Sequence, residues 1–193
     1  MPHTYADALN LLHEWVQSES LRKHCLAVSA SMRHMARQAG ADEEQWATVG
    51  ILHDMDYERF PNAAHSPTEE HPSAGVRHLR EHGWPEELCR AILSHADYCN
   101  VPRESPMEKT LYAVDELSGF VTAVTLVRPD KNIASVEVAS VKKKMKDKAF
   151  ARAVNRDDIV RGAAELDMPL DKLIAEVIAA LRSNAEALGL AGV

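Results

Sequence analysis

The chain has 193 residues and a formal charge of −7, from 22 basic and 29 acidic side chains. Hydrophobic residues make up 46% and charged residues 26%, an ordinary balance that argues against disorder, and no apolar run nears the roughly 20 residues of a bilayer span. The acidic balance disfavours a protein that coats nucleic acid. Residues 1–10 show no basic-then-apolar leader, and Cys25, Cys89 and Cys99 form no CxxC pair. Both features predict a cytoplasmic protein with free thiols.

Helical signals run the length of the chain. Ala8, Leu11, Leu12 and Trp15 recur at three- and four-residue steps, predicting a helix over 5–17. Ser20 reads as the N-cap of a second helix that Gly40 stops. A third is expected over 41–54, capped by Asp42. Three prolines and small polar residues mark 58–72 as the longest loop. A short helix follows over 73–82, closed by Gly83, and Pro85 fits the first turn of the next, which runs to about Tyr98. After a loop over 100–106, a helix is expected over 107–127. The valine- and threonine-rich end of that helix, and the alternating stretch 135–141, are the two strand candidates. Helix is the better reading for both, because the helical step persists through Val121 and a lone short strand lacks a partner. Amphipathic helices are expected over 156–166 and 171–188. The fold class is therefore all-α: a single helical domain over 1–193, with a core over 20–127 and a C-terminal helical extension over 128–193.

Ten histidines against three phenylalanines is the unusual count. His53-Asp54 closes an apolar helix, where a carboxylate beside an imidazole is costly without a counter-charge. His24 lies near the start of the second helix, His71 precedes Pro72, and His95 ends the apolar stretch 91–94. Asp115 interrupts the apolar run 111–117 and needs donors or a cation. Each alone reads as structural. Together they are four imidazoles and two carboxylates beside apolar helix surfaces, a mixture suited to manganese, iron, nickel, zinc or magnesium rather than calcium.

The order His24, His53-Asp54, Asp115 resembles the HD superfamily of metal-dependent phosphohydrolases over roughly 22–125. The resemblance implies that these four residues hold one divalent ion inside a helical bundle. His71 and His95 resemble the added histidines of the two-metal subgroup, which implies a second ion bridged by Asp54. The implied chemistry is phosphomonoester or phosphodiester hydrolysis by metal-activated water on a small phosphate-bearing molecule, plausibly a nucleotide, with His53, Asp54 and Asp115 at the catalytic centre. The part after Val127 is similar to small bacterial HD proteins of unknown substrate. The sequence departs from the two-metal pattern after the pair. It reads Met55-Asp56-Tyr57 where isoleucine, glycine and lysine would stand, so Tyr57 replaces a phosphate-contacting lysine. The Gly-Tyr-Pro tripeptide of the HD-GYP proteins is absent, which removes support for cyclic-dinucleotide cleavage.

Arg22, Lys23 and Lys109 are candidate phosphate contacts on charge alone, with Tyr57 beside them as a candidate substrate contact. Asp56 and Glu58 are candidates to orient water, or plain loop carboxylates. His65 is a further candidate substrate contact. His34 lies about 15 Å along its helix from His24, too far to share an ion. His3 and His13 read as surface residues, and His78 and His82 as a polar face one turn apart. The basic run Lys142-Lys143-Lys144, with Lys146 and Lys148, is a solvated face or a steering patch for an anion. Two rivals share the ligand set: an HD-fold diiron oxygenase, and a non-catalytic nucleotide-binding module with a structural metal. A homodimer through the C-terminal helices is a further expectation.

Overall fold

A computed structural model describes residues 3–193. Ten α-helices follow one another among these residues, and no strand is formed; Asn132 and Ala191 make one isolated antiparallel bridge. The helices are α1 (Tyr5–Trp15), α2 (Glu19–Ala39), α3 (Glu43–Leu52), α4 (Ser73–Glu81), α5 (Glu86–Ser94), α6 (Pro106–Leu126), α7 (Val138–Met145), α8 (Arg156–Glu165), α9 (Leu170–Arg182) and α10 (Ala185–Leu188). None of them is long and apolar enough to cross a membrane.

Local chemistry sets most of the boundaries. Thr4 and Asp7 form a reciprocal capping box at α1, satisfying two otherwise orphaned donors. Asp42 takes the Glu44 and Gln45 N–H groups at 2.9 and 3.0 Å and starts α3 as expected. Gly40 ends α2 in the left-handed region at φ 65°. Ser105 and Glu108 box the start of α6, with Pro106 in its first turn.

Several expected boundaries move. Ser18, not Ser20, caps α2, because its Oγ accepts the Leu21 N–H at 3.3 Å. Pro85 is the residue before α5 rather than inside it. That helix stops at Ser94, and the chain makes a separate 3-10 turn at Asp97–Cys99 instead of running on to Tyr98. The stretch 135–141 splits between a 3-10 turn at Ile133–Ser135 and the start of α7. The expected helix over 171–188 is two, α9 and α10, broken at Ser183-Asn184. The end of α6 is helical through Leu126, so the valine-rich strand candidate there is helix.

α2 and α6 are the two 21-residue helices on which the rest assembles. α2 packs on α3, α6 and α9, and α6 packs on α8, α5 and α9. Leu173, Ile174, Val177 and Leu181 of α9 lie in the same apolar core as Val28, Met32, Leu117 and Phe120. The C-terminal helices thus help build the interior rather than only surround it. Gly50 permits a close approach of two helices beside the site. A Cβ there would meet the Ser29 Cα at 2.7 Å, so glycine lets α3 lie against α2, and the Ser29 hydroxyl donates to the Ala47 carbonyl at 2.9 Å across the same seam.

Candidate metal centre

That close seam brings the end of α3 beside the first half of α2. His53 follows the last residue of α3, and its ring centroid lies 5.2 Å from that of His24. Across from both, α6 presents Asp115, with Gly119 one turn further along under the His24 ring, where a Cβ would sit 3.6 Å from Nδ1. His71 enters from the residue pair preceding α4, and His95 follows the last residue of α5. Three of the four imidazoles therefore stand at helix ends, and two ligand candidates stand mid-helix on the long pair α2 and α6.

The six groups form two adjoining triads whose facing atoms lie within 4.8 Å of one another: His24, His53 and Asp115, and then Asp54, His71 and His95. In the first, the Asp115 carboxylate oxygen is 3.0 Å from His24 Nε2 and 3.3 Å from His53 Nε2. In the second, Asp54 Oδ1 is 3.3 Å from His71 Nε2 and 3.7 Å from His95 Nε2. Asp54 also faces the first triad, with Oδ2 at 3.5 Å from His24 Nε2 and Oδ1 at 3.4 Å from His53 Nε2. It is the one carboxylate that touches both.

The outer ring nitrogens decide what the inner ones offer. His53 Nδ1 donates to the Gly50 carbonyl at 2.8 Å, and His95 Nδ1 donates to the Ile92 carbonyl at 2.5 Å. Both acceptors are carbonyls three residues back, in the last turn of the helix that each histidine terminates, where helices leave carbonyls without partners. His71 Nδ1 donates to Asp56 Oδ1 at 2.7 Å. With the proton fixed on Nδ1, each neutral ring turns an Nε2 lone pair inward. Yet His71 and His95 face each other Nε2 to Nε2 at 3.2 Å, and His24 and His53 do so at 3.3 Å. At His71–His95 two lone pairs meet, which is repulsive; at His24–His53 the His53 lone pair is fixed, and in both triads carboxylates crowd the same side. A positive charge between them resolves both conflicts, so the donor set fits divalent cations.

The charge state of the side chains agrees. Burial opposes a charge on His53, but with no cation between them Asp54 and Asp115 outweigh it and push the imidazole up to about 9, the direction expected where carboxylates draw positive charge to this point. His95 is held neutral instead: burial, with His71 and His53 nearby, pushes it down to about 4. Burial also opposes the Asp115 charge, but His53 and the bond from His24 hold its carboxyl well below the usual range. The C-terminal ends of α3 and α5, both directed at the site, add partial negative charge that favours a cation.

The triads open onto a cleft of about 510 Å³. Tyr57 lines it, its ring edge-on to His71 at 5.1 Å, and so does His65, stacked on Tyr98 at 4.9 Å. Arg22, Lys23 and Lys109 do not line it. The Arg22 guanidinium is committed to the Val16 and His13 carbonyls at 2.7 and 3.0 Å, and Lys23 pairs with Glu19 at 2.9 Å, so the expectation that they meet a phosphate finds no support in their placement. Asp56 is buried and accepts from His71 and from the Gly75 N–H at 2.6 Å, which makes it the group that orients His71 rather than one that touches water in the cleft. Glu58 accepts the Gln17 and Ser18 N–H groups and holds the α1–α2 turn. His34 pairs with Glu176 at 2.7 Å. His3 stacks on Trp84, and His78 and His82 pack against each other with their rings tilted. Glu116, Asn62, Tyr98 and Asn155 line the cleft and were not anticipated. Tyr98 lies three residues after His95, and that spacing is the signal that could have found it. Glu116 follows Asp115 directly and interrupts the same apolar run 111–117, so the signal that marks Asp115 applies to it as well.

A helical bundle that converges four imidazoles and two carboxylates on one cleft has two side-chain clusters that could hold metal ions. The sequence model of the HD domain matches residues 21–119, a little over half of the chain, and the chain belongs to that family. The family is that of the metal-dependent phosphohydrolases, and its all-α fold is the one seen here. No curated protein and no solved structure matches the chain.

Proposed function

We propose that the protein hydrolyses a phosphate ester of a small molecule with two divalent ions. His24, His53 and Asp115 would hold one ion, His71 and His95 the other, and Asp54 would bridge them. The observation that carries this reading is the pair of inward Nε2–Nε2 contacts at 3.3 and 3.2 Å, with three of the four outer nitrogens tied to acceptors. When bound, such ions lower the pKa of a coordinated water and offset charge on phosphoryl oxygens.

The chain's own residues supply the rest. Asp56 and the helix-end carbonyls of Gly50 and Ile92 keep the ligand rings in the tautomer that binds, so little reorganisation is needed. Tyr98 donates its hydroxyl to the His71 carbonyl at 2.6 Å and so fixes the backbone that carries that ligand. Its ring is covered by His65 on the cleft side. Asn62, His65 and Asn155 are the polar groups of the cleft placed to orient an ester. With no lysine or arginine lining it, anion binding rests on the ions themselves.

Metal analysis of protein purified without chelator, beside an Asp54→Ala control and a phosphoester screen, tests the reading. One or two manganese, zinc, nickel or magnesium ions per chain, lost in the variant, with phosphate release in the parent, support it. About two irons with oxygen uptake and no phosphate release replace it with oxygenase chemistry on the same ligands. No metal even after reconstitution leaves a binding module.

A further inference from the structure

Beyond the two triads, the cleft has a charge that ester hydrolysis alone does not call for. Asp97, Glu116 and Asp158 line it. Two of these are already engaged. Asp97 pairs with Arg103 at 2.9 Å and with Arg161. Asp158 pairs with Arg161 at 2.7 Å and accepts the Tyr112 hydroxyl at 2.8 Å.

Glu116 differs. Its Oε2 accepts the Asn155 N–H at 3.3 Å, and among the described residues no lysine or arginine pairs with it. The contact is held firmly in place. Asn155 caps α8, and the next residue, Arg156, donates to four carbonyls of the preceding loop: Asp147, Phe150, Ala151 and Val154. The Glu116 carboxylate is thus held through one oxygen, half-buried, lines the cleft, and its other oxygen has no partner among the described residues. A carboxylate in that position is costly to strip of water unless an incoming group donates to it.

We propose that Glu116 is a specificity-determining residue that accepts a hydroxyl or amino donor from the alcohol portion of the ester. This rests on the hydrolase reading above and narrows its substrate. The favoured class is a phosphate ester whose alcohol portion carries such donors and no second phosphate. A further phosphate near Glu116 would meet a carboxylate that no lysine or arginine pairs with, and like charges repel strongly in a partly desolvated cleft. The stacked His65 and Tyr98 rings line the same cleft and offer a flat wall to the alcohol portion of the ester.

The test compares matched esters on the metal-loaded protein. Glycerol 3-phosphate is set against propyl phosphate, 2-aminoethyl phosphate against ethyl phosphate, and adenosine monophosphate against the diphosphate. The first member of each pair is expected to have a kcat/KM higher by about tenfold or more, the range of one hydrogen bond to a charged acceptor. Glu116→Ala brings the first two ratios close to one. Glu116→Gln keeps an acceptor oxygen but no charge, so it retains part of the glycerol preference and loses the aminoethyl preference. A merely structural role lowers every rate together and leaves the ratios where they were. Parent ratios within twofold of one, or ratios that neither variant moves, overturn the proposal and leave the hydrolase reading standing. Cleavage of no ester, p-nitrophenyl phosphate included, overturns that reading and the proposal with it.

Discussion

Asp56→Asn is the sharpest probe of how the centre is held. Asp56 is 1% exposed and its two oxygens accept from two donors, His71 Nδ1 at 2.7 Å and the Gly75 N–H at 2.6 Å. An asparagine keeps the shape but has one acceptor oxygen and one NH₂ group. The backbone N–H of Gly75 cannot become an acceptor, and opposing it with NH₂ would leave a buried donor unpaired at a cost of about 1–3 kcal/mol. The imidazole can change tautomer. The oxygen therefore stays on Gly75, the NH₂ faces His71, and the His71 proton moves from Nδ1 to Nε2. The lone pair aimed at Asp54 and His95 is lost. Loss of such an orienting partner weakens metal binding by about 10–100-fold, which is about 1.4–2.8 kcal/mol at 1.4 kcal/mol per tenfold. Only the triad with His71 is affected, since His24, His53 and Asp115 keep their partners. Elemental analysis after dialysis against limiting metal should fall from about two ions per chain to about one, with the helical circular dichroism unchanged. Two ions retained, with dissociation constants within threefold of the parent, would refute the tautomer argument.

Three further outcomes follow from the same packing and charges. Gly75→Ala places a Cβ 2.8 Å from the Asp56 Cγ, so it should displace that carboxylate and reproduce the single-ion state of Asp56→Asn, as read by the same elemental analysis. Gly50→Ala sets a Cβ 2.7 Å from the Ser29 Cα, a backbone atom that cannot step aside; a loss of at least about 1–3 kcal/mol is expected in urea unfolding, and a change below about 0.5 kcal/mol would contradict the seam. Glu165 is bonded by Arg103 at 2.7 Å, and that bond lowers its carboxyl below the ordinary range. Between its folded and unfolded values the unfolded chain binds the proton and the folded chain does not, so this stability is present above about pH 4.3 and is lost as the pH falls further. Glu165→Gln should reduce stability at neutral pH and flatten the acid limb of a melting-temperature profile; a parallel limb would show that the pair adds nothing.

Four residues of the centre, His53, Asp54, His95 and Asp115, were legible because each is an exception to its surroundings, while His24 and His71 joined them through the family resemblance. An ionisable group at the edge of an apolar helix face is expensive unless it is partnered, so His53-Asp54 after 49–52, His95 after 91–94 and Asp115 within 111–117 stood out. The helical class was legible for a related reason, since apolar spacing and capping chemistry act over a few residues. Phosphate contacts guessed from charge fared differently. Arg22 and Lys23 flank His24 in sequence, but neighbours on a helix point about 100° apart, and theirs is the direction of the α1 carbonyls and Glu19. Asp56 was visible as a carboxylate, while its partners, His71 and Gly75, are 15 and 19 residues away.

The sequence by itself determined most of the helices, the cap of α3 at Asp42 and, with the family resemblance, the set of six side chains that need a common counter-charge. Only the tertiary structure decided how those six divide into two triads, which carboxylate touches both, and that Glu116 faces the cleft with an oxygen to spare. Caps and periodicity are local and are written in adjacent residues. Which lone pair meets which depends on the close contact of α3 with α2 at Gly50 and of α6 with both, and that distance exists only after the core has packed.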